Sequence, residues 1–156
     1  MQPLTAESKA TIRFHDCDPF NHLNNSRYID YLLAAREDHL LHTYGFDLYR
    51  RIQQTGTAWV VAEHRIAYLR AALLMETVVI CSSVIDWQQD SIWVEMQMWN
   101  ADKSRLKCLL WTCFVHVNAK TGKREDHTPE LYEQFGNLVL PGIITAGFES
   151  RVKDLR

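Results

Sequence analysis

The alternation of apolar and polar residues along the chain predicts one strand, one long helix and then four further strands. Residues 9–14 alternate, with Ile12 and Phe14 on one side, which is the period of a half-buried strand. Four later segments are long, rich in β-branched and aromatic residues, and free of glycine and proline. We predict a strand in each of them: 59–68, 77–87, 91–99 and 106–117. Short polar turns join the last three, so consecutive antiparallel hairpins are the natural topology.

The segment 25–44 carries the strongest helix signal, because it contains no glycine or proline and is rich in Leu, Ala and Tyr. An asparagine at 24 or 25 is available as the N-cap. The first turns of this helix, residues 28–35, are apolar almost all round, so the helix must be enclosed on most sides. Only from Arg36 onward does the pattern predict a solvated surface.

One strand, one long apolar helix and four antiparallel strands leave few ways to bury the helix, and the sheet must wrap around it. We therefore predict an α+β protein of the hotdog type, in which a five-stranded antiparallel sheet surrounds a central helix in a single domain spanning 1–156. A short helix is expected at 129–135, and the tail beyond it gives no clear prediction. An open sheet leaves an edge strand, and pairing two such edges across a two-fold axis predicts a homodimer or homotetramer.

Composition and charge exclude several classes of protein. Apolar residues make up 47% and charged residues 23% of the 156 residues, which argues against a disordered or fibrous chain. The net charge of −2 provides no basic field for nucleic acid or anionic lipid. The absence of a signal-like N-terminus or of a long apolar run predicts a cytoplasmic protein that does not contact membranes.

The four cysteines form no CxxC pair and no metal-ligand spacing, which predicts reduced thiols and neither disulfides nor structural zinc. Cys17 lies between two aspartates, and their charges should raise the pKa of its thiol and disfavour a thiolate nucleophile.

The segment 14–28 reads FHDCDPFNHLNNSRY and is the most informative part of the chain. Its D-x-D-P step, its H-L-N-N ending and the tyrosine three residues beyond the last Asn resemble the signature of the 4-hydroxybenzoyl-CoA thioesterase family. The acyl-acyl-carrier-protein thioesterases show a similar H-V-N-N ending. The resemblance extends from residue 9 to about 118. In the signature it is a specific match of residues, whereas in the strands it is only a match of their order and topology. It implies hydrolysis of an acyl-CoA or acyl-carrier-protein thioester, with no cofactor and with an acyl cleft between protomers.

The resemblance also implies roles for two catalytic groups. The second aspartate of the motif, here Asp18, would attack the carbonyl or activate water, and the backbone N–H of Asn25 would polarise the carbonyl oxygen. Simple chemistry agrees, because thioester cleavage needs a nucleophile or activated water and a donor for the developing oxyanion. The first amides of a helix are free and lie at the positive end of its dipole. Asp16 belongs to the opposite face, which favours a structural role.

His22 is a further candidate, because it lies four residues beyond Asp18, as in the Asp-x-Asn-x-His pattern of plant-type carrier-protein thioesterases. Phe20 replaces the middle Asn, so that catalytic set does not carry over whole. His22 would orient the carboxylate or bond the thioester, or else it simply orders the loop.

Candidate substrate-binding residues follow from the signature and from the charges. Asn24 is the simplest N-cap and would set the direction of the Asn25 amide, while Tyr28 is the tyrosine of the signature. The phosphates of CoA require basic residues at the mouth of the cleft, and Arg65 and Arg70 are candidates, although scattered surface charge explains them equally well.

Rival interpretations are weaker. A dehydratase of the same fold would carry an H-F-P-G-like loop, which this chain lacks. A non-catalytic hotdog module that binds acyl-CoA or acts in assembly would have no need of Asp18. Glu63 on the second strand is a reserve carboxylate. No metal is predicted, because no ligand spacing arises from His15, Asp16, Asp18 and His22.

Overall fold

The structure, a computed structural model, describes residues 1–156 and shows five antiparallel strands in one sheet, with a long helix packed against it. The spatial order of the strands is β1-β3-β4-β5-β2. In chain order the elements are β1 (Ala6–Thr11), α1 (Tyr28–His42), α2 (Leu48–Thr55), β2 (Thr57–Tyr68), β3 (Thr77–Trp87), β4 (Ser91–Asn100), β5 (Leu106–Asn118), α3 (Pro129–Leu138), α4 (Ile143–Ala146) and α5 (Phe148–Leu155). The predicted α+β hotdog architecture is confirmed.

The topology follows from the lengths of the connections. β3, β4 and β5 are joined by short turns and pair as consecutive antiparallel hairpins, as the sequence predicts. β1 pairs with β3 at one edge of the sheet, and β2 pairs with β5 at the other. The twelve-residue strand β2 therefore has one side without a partner.

The core lies between α1 and the concave face of the sheet. The alternating residues of β4 that face the helix, among them Val94 and Met96, are fully buried. Leu32 of α1 and Leu110 of β5 meet them in the same cluster. This burial stabilises the helix in a position that its own weak amphipathicity would not specify.

The first strand and the long helix have boundaries that differ from those predicted. β1 ends at Thr11, because Phe14–Asp16 form a 3-10 turn closed by a hydrogen bond from the Cys17 N–H to the Phe14 carbonyl (3.1 Å). The predicted helix at 25–44 begins with a second 3-10 turn, Asn25–Arg27, and becomes α-helical only at Tyr28.

Helix α2 was not predicted, although both of its ends carry recognisable signals. The Asp47 side chain accepts a hydrogen bond from the Arg50 N–H (3.0 Å) and caps the first turn. Gly56 ends the helix in the left-handed conformation, with φ of 69°. With only eight residues between these caps, mostly polar, the apolar periodicity was too weak to predict the helix.

The last helix, α5, lies against the outer face of the sheet. Arg151 of α5 donates from Nε and Nη2 to the buried carboxylate of Glu95, at 2.9 and 2.8 Å. Trp111 donates from Nε1 to the same carboxylate (2.9 Å), and Phe148 packs edge-on against the Trp111 ring. The tail thus buries an outward-facing tryptophan. None of the helices is both long enough and apolar enough to cross a bilayer.

The prediction that α1 becomes solvated from Arg36 onward is wrong for Arg36 and His39, although Glu37 and Asp38 are exposed. Arg36 and His39 are only 5% and 2% exposed, because they continue the face of Leu32 at helical spacing and turn toward β3. Arg36 Nη1 donates to Ser82 Oγ (3.1 Å). His39 Nδ1 lies 2.7 Å from the same oxygen, and its Nε2 lies 2.8 Å from Ser8 Oγ. A polar network therefore lies beneath the second half of the helix.

Acidification is expected to destabilise the fold through His39. Burial, assisted by the charge of Arg36, lowers the pKa of His39 from 6.5 to about 4. Between those values the unfolded chain binds a proton that the folded chain rejects, so the free energy of unfolding falls with the pH. The loss should reach about 3 kcal/mol near pH 4. Urea unfolding of the wild type and of His39→Gln at pH 7, 5.5 and 4.5 measures it.

The expected result is a shallower pH dependence of the free energy of unfolding in His39→Gln. His42→Gln, which removes an exposed histidine of the same helix, should keep the wild-type slope. Equal slopes in all three proteins would show that His39 is not the group responsible.

Candidate active site

The loop that carries Asp18 is a tight turn closed by its own main chain. Cys17 and Leu23 face each other in an antiparallel bridge, and the Asp18 N–H donates to the His22 carbonyl (2.8 Å). Asn21 adopts a left-handed conformation with φ of 60°, which asparagine tolerates. The sequence DPFN thus turns the chain within a few residues and leaves the Asp18 side chain beside the loop's own amides.

Those amides fix the orientation of the carboxylate. Asp18 Oδ1 accepts hydrogen bonds from the N–H groups of Phe20 (2.9 Å) and His22 (3.1 Å). Asp18 Oδ2 makes no hydrogen bond within the chain and is the oxygen left free for chemistry. His22 therefore orients the carboxylate through its backbone amide, whereas its imidazole ring makes no hydrogen bond.

The segment that follows β2 anchors this loop and the start of α1. The Leu23 N–H donates to the Ala72 carbonyl (2.8 Å), and the Leu74 N–H donates to the Asn21 carbonyl (2.9 Å). Tyr28 is buried, and its hydroxyl accepts from the Ala72 N–H (3.0 Å). The signature tyrosine therefore connects the first turn of the helix to the wall of the site.

The first helical amide is that of Asn25, and no acceptor in the chain takes its N–H. Asn24 acts as the predicted cap, because its Oδ1 accepts from the Ser26 N–H (3.0 Å) and from the Ser26 hydroxyl (2.9 Å). The Asn25 carbonyl accepts from the Tyr68 hydroxyl (3.0 Å). The chain is thus held on both sides of this free amide.

A pocket of about 220 Å³ joins these groups. Five of the predicted site residues line it, namely Asp18, His22, Asn25, Tyr28 and Arg70. The other lining residues are Leu23, Tyr68, Leu69 and Ala71. The carboxylate and the helix amide that the sequence proposes as a pair therefore border the same space.

Two predicted residues are not part of the pocket lining. Asn24 acts only through the chain, as the cap just described. Arg65 donates from Nε to Glu63 Oε1 (2.8 Å), and its guanidinium lies 5.8 Å from the Trp93 ring centroid. Since Trp93 is an outward residue of β4, Arg65 lies on the outer face, and Glu63 is occupied by the same ion pair.

Tyr68 is a site residue that sequence reasoning missed. It lies at the end of β2, packs edge-on against Tyr28 with ring centroids 5.2 Å apart, and holds the Asn25 carbonyl. The only sequence signal was an aromatic residue at a strand terminus, which is common in sheets.

The neighbours of Asp18 have other partners. Asp16 Oδ2 accepts from the Tyr31 hydroxyl (2.6 Å), and the Asp16 carbonyl accepts from the Asn24 N–H (2.9 Å). Burial, together with the charges of Asp16 and Asp18, raises the pKa of the Cys17 thiol. The expected direction of that shift is confirmed, and it favours the neutral thiol.

A loop carboxylate and a free helix amide at one pocket provide a nucleophile or general base and a donor for a developing oxyanion, the groups that acyl transfer requires. The chain belongs to the thioesterase-like superfamily, whose family model matches residues 12–135.

Solved structures agree with this assignment. The chain is 25% identical to YbaW, a probable thioesterase from Escherichia coli, with a TM-score of 0.73 over 86% of this chain and 98% of that one. DHNA-CoA thioesterase from Staphylococcus aureus shares the fold at 16% identity, with a TM-score of 0.77 over 86% and 90% of the two chains. The 12:0-ACP thioesterase from Umbellularia californica shares it at 14% identity, with a TM-score of 0.74 over 90% of this chain and 55% of that one. Thioester hydrolysis is therefore the class of chemistry.

Proposed function

We propose that this protein hydrolyses an acyl-CoA or acyl-carrier-protein thioester to a free acid and a thiol, with Asp18 and the Asn25 amide as the reacting pair. The observation that supports the proposal is that Asp18 and Asn25 line the same pocket, while Asp18 Oδ2 and the Asn25 N–H make no hydrogen bond within the chain. Both groups are therefore open to a substrate.

The proposed reaction places the thioester carbonyl oxygen against the Asn25 N–H. As the carbonyl carbon is attacked, negative charge develops on that oxygen, and the N–H and the positive end of α1 stabilise it. In one route Asp18 Oδ2 attacks the carbon and expels the thiolate, and water then cleaves the resulting anhydride. In the other, Asp18 removes a proton from a water molecule that attacks directly. Both routes end in an acid and a thiol.

The bonds to Asp18 Oδ1 serve either route. Two backbone N–H groups hold one carboxylate oxygen, so the other is presented in a fixed direction without reorganisation during the reaction. Arg70, exposed at the pocket, is the proposed contact for a CoA phosphate or for an acidic carrier-protein surface.

A screen of short, medium, long and aromatic acyl-CoAs, together with acyl-carrier proteins, should reveal hydrolysis of at least one substrate class as release of free thiol. Each assay should give the same turnover after exhaustive treatment with EDTA, because the proposed route uses only a carboxylate and an amide. Turnover that disappears with EDTA and returns with a divalent cation would contradict the proposed route. Binding of acyl-CoA without any release of thiol would favour the non-catalytic hotdog module.

We also propose a homodimer formed through the free side of β2, as the open sheet edge suggests. Val60 and Val61 on this strand are 48% and 44% exposed, so an edge strand without a partner presents two large apolar side chains to solvent. Ile29 and Leu33 of α1 are only half-buried within one chain. A second copy would cover this apolar surface and would place its own strand near the Asp18 pocket, and a pair of dimers would give the homotetramer.

A further inference from the structure

A second cavity, of about 100 Å³, lies beside the C-terminal half of α1, away from the Asp18 pocket. Its walls are α1, the chain from Tyr44 to Leu48, the inward faces of β3, β4 and β5, and helix α3. Eleven of its thirteen lining residues are hydrophobic. The two exceptions are Arg36 and Gln134.

Arg36 is a buried cation without an anion. Its side chain is among those that line the cavity, and the residue is 5% exposed. Its one direct side-chain hydrogen bond runs from Nη1 to the neutral hydroxyl of Ser82, and the Tyr44 ring lies 5.8 Å from the guanidinium carbon. No carboxylate lies within 4 Å of it.

The polar network around Arg36 supplies no negative charge. Because Ser82 Oγ accepts from Arg36, its own hydroxyl proton is free to go to His39 Nδ1. His39 then carries its proton on Nε2 and donates to Ser8, which is a neutral tautomer. Glu37 and Asp38, the next two residues of the helix, are both exposed.

An isolated charge in an apolar interior costs several kcal/mol unless an opposite charge accompanies it. Lys107, the one other buried lysine or arginine, obeys that rule because it pairs with Glu76, and the half-buried Arg151 pairs with Glu95. Arg36 departs from it at the wall of an apolar cavity. A ligand that joins a negatively charged group to an apolar body would complete the site.

We propose that this cavity binds a short-chain carboxylate, with the carboxylate on Arg36 and the hydrocarbon chain among the apolar side chains. The cavity is smaller than the roughly 150 Å³ that accommodates benzene, so it holds the carboxylate and the first carbon atoms of the chain, and the rest of a five-carbon chain extends toward the surface. The Gln134 side chain makes no hydrogen bond within the chain, so its amide is available as a second donor to the carboxylate. Gln134 and Leu138 also border a groove at the surface, which gives the ligand a path from solvent.

The carboxylate could also belong to the far end of an acyl group bound at Asp18, but the packing favours a free acid. Arg36 is eleven residues beyond Asn25 along the helix, which is about 16 Å. Leu32, Met96 and Leu110 are fully buried in the core cluster and line neither cavity, and the two cavities share no lining residue.

Calorimetric titration of the intact protein with pentanoate and with pentanamide tests the proposal. The wild type should bind pentanoate at least tenfold more tightly than the neutral amide. Arg36→Met should remove that preference, and it should raise the thermal stability of the unliganded protein because a buried unpaired charge is lost. Leu48→Trp, which fills the cavity and leaves Arg36 in place, should abolish binding of both compounds.

Three outcomes would overturn the proposal. One is equal affinity of the wild type for pentanoate and pentanamide, or no binding of either at millimolar concentration. Another is a preference for pentanoate that survives in Arg36→Met or, if that variant does not fold, in Leu48→Trp. The third is a lack of pentanoate binding combined with faster hydrolysis of a glutaryl than of a pentanoyl thioester, which would assign Arg36 to the acyl group of the substrate.

Discussion

Asp18→Asn is expected to lower kcat by at least about a hundredfold while the protein remains folded, since loss of a general base or nucleophile typically costs that much or more. The asparagine carbonyl oxygen can still accept from the Phe20 and His22 amides, so the loop should keep its shape. The free oxygen Oδ2 is replaced by an NH₂ group that can neither attack nor accept a proton. The measurement is kcat on the best substrate of the acyl-thioester screen, with circular dichroism and thermal unfolding as checks on the fold.

Asp16→Asn is the matched control, because the two aspartates lie two residues apart in the same loop. Asp16 accepts from the Tyr31 hydroxyl and has no position in the pocket, so its variant should lose stability and keep most of its turnover. The assignment of the two aspartates is wrong if Asp18→Asn turns over normally or if Asp16→Asn is the more damaged enzyme.

Val60→Lys is expected to convert the proposed dimer into a monomer and to abolish hydrolysis with it. A lysine on an unpaired strand edge opposes association, because it would have to be desolvated when a second strand pairs there. If the acyl cleft is shared between protomers, the isolated chain retains Asp18 but lacks the opposing wall. Light scattering should then report 18.2 kDa, and turnover should be lost at every protein concentration.

The control is Tyr49→Lys, which places the same charge on an exposed position of α2 and should leave mass and turnover unchanged. Dilution of the wild type below the dimer dissociation constant should lower its specific activity in parallel with its mass. A fully active wild-type monomer of 18.2 kDa would refute both the interface and the shared cleft.

The sequence was most informative where local pattern and tertiary environment agree. The alternation along β4 predicts both the strand and its buried face, because a residue's side of the sheet depends only on its parity. The spacing from Asp18 to Asn25 likewise brought a loop carboxylate and a helix start to one pocket, since the turn between them closes with its own backbone bonds.

The sequence was least informative where a polar side chain finds its partner far along the chain. Arg36 is normally a solvent-exposed type of residue, and only the approach of Ser82, 46 positions away, explains its burial. Tyr68 is similar, because its contact with the Asn25 carbonyl depends on how β2 meets α1. The spacing of apolar residues along the chain does not indicate such long-range contacts.

The C-terminal helix α5 affects which residues the folded domain must include. The family match ends at residue 135, whereas Arg151 neutralises Glu95 in the middle of the sheet. Without Arg151 and Phe148 of α5, the Glu95 carboxylate and the Trp111 ring, which are both buried in the structure, would be exposed to solvent. A chain trimmed to the matched segment would contain every residue of the Asp18 pocket but would lack α5, which covers the outer face of the sheet. A stable folded unit should therefore include α5.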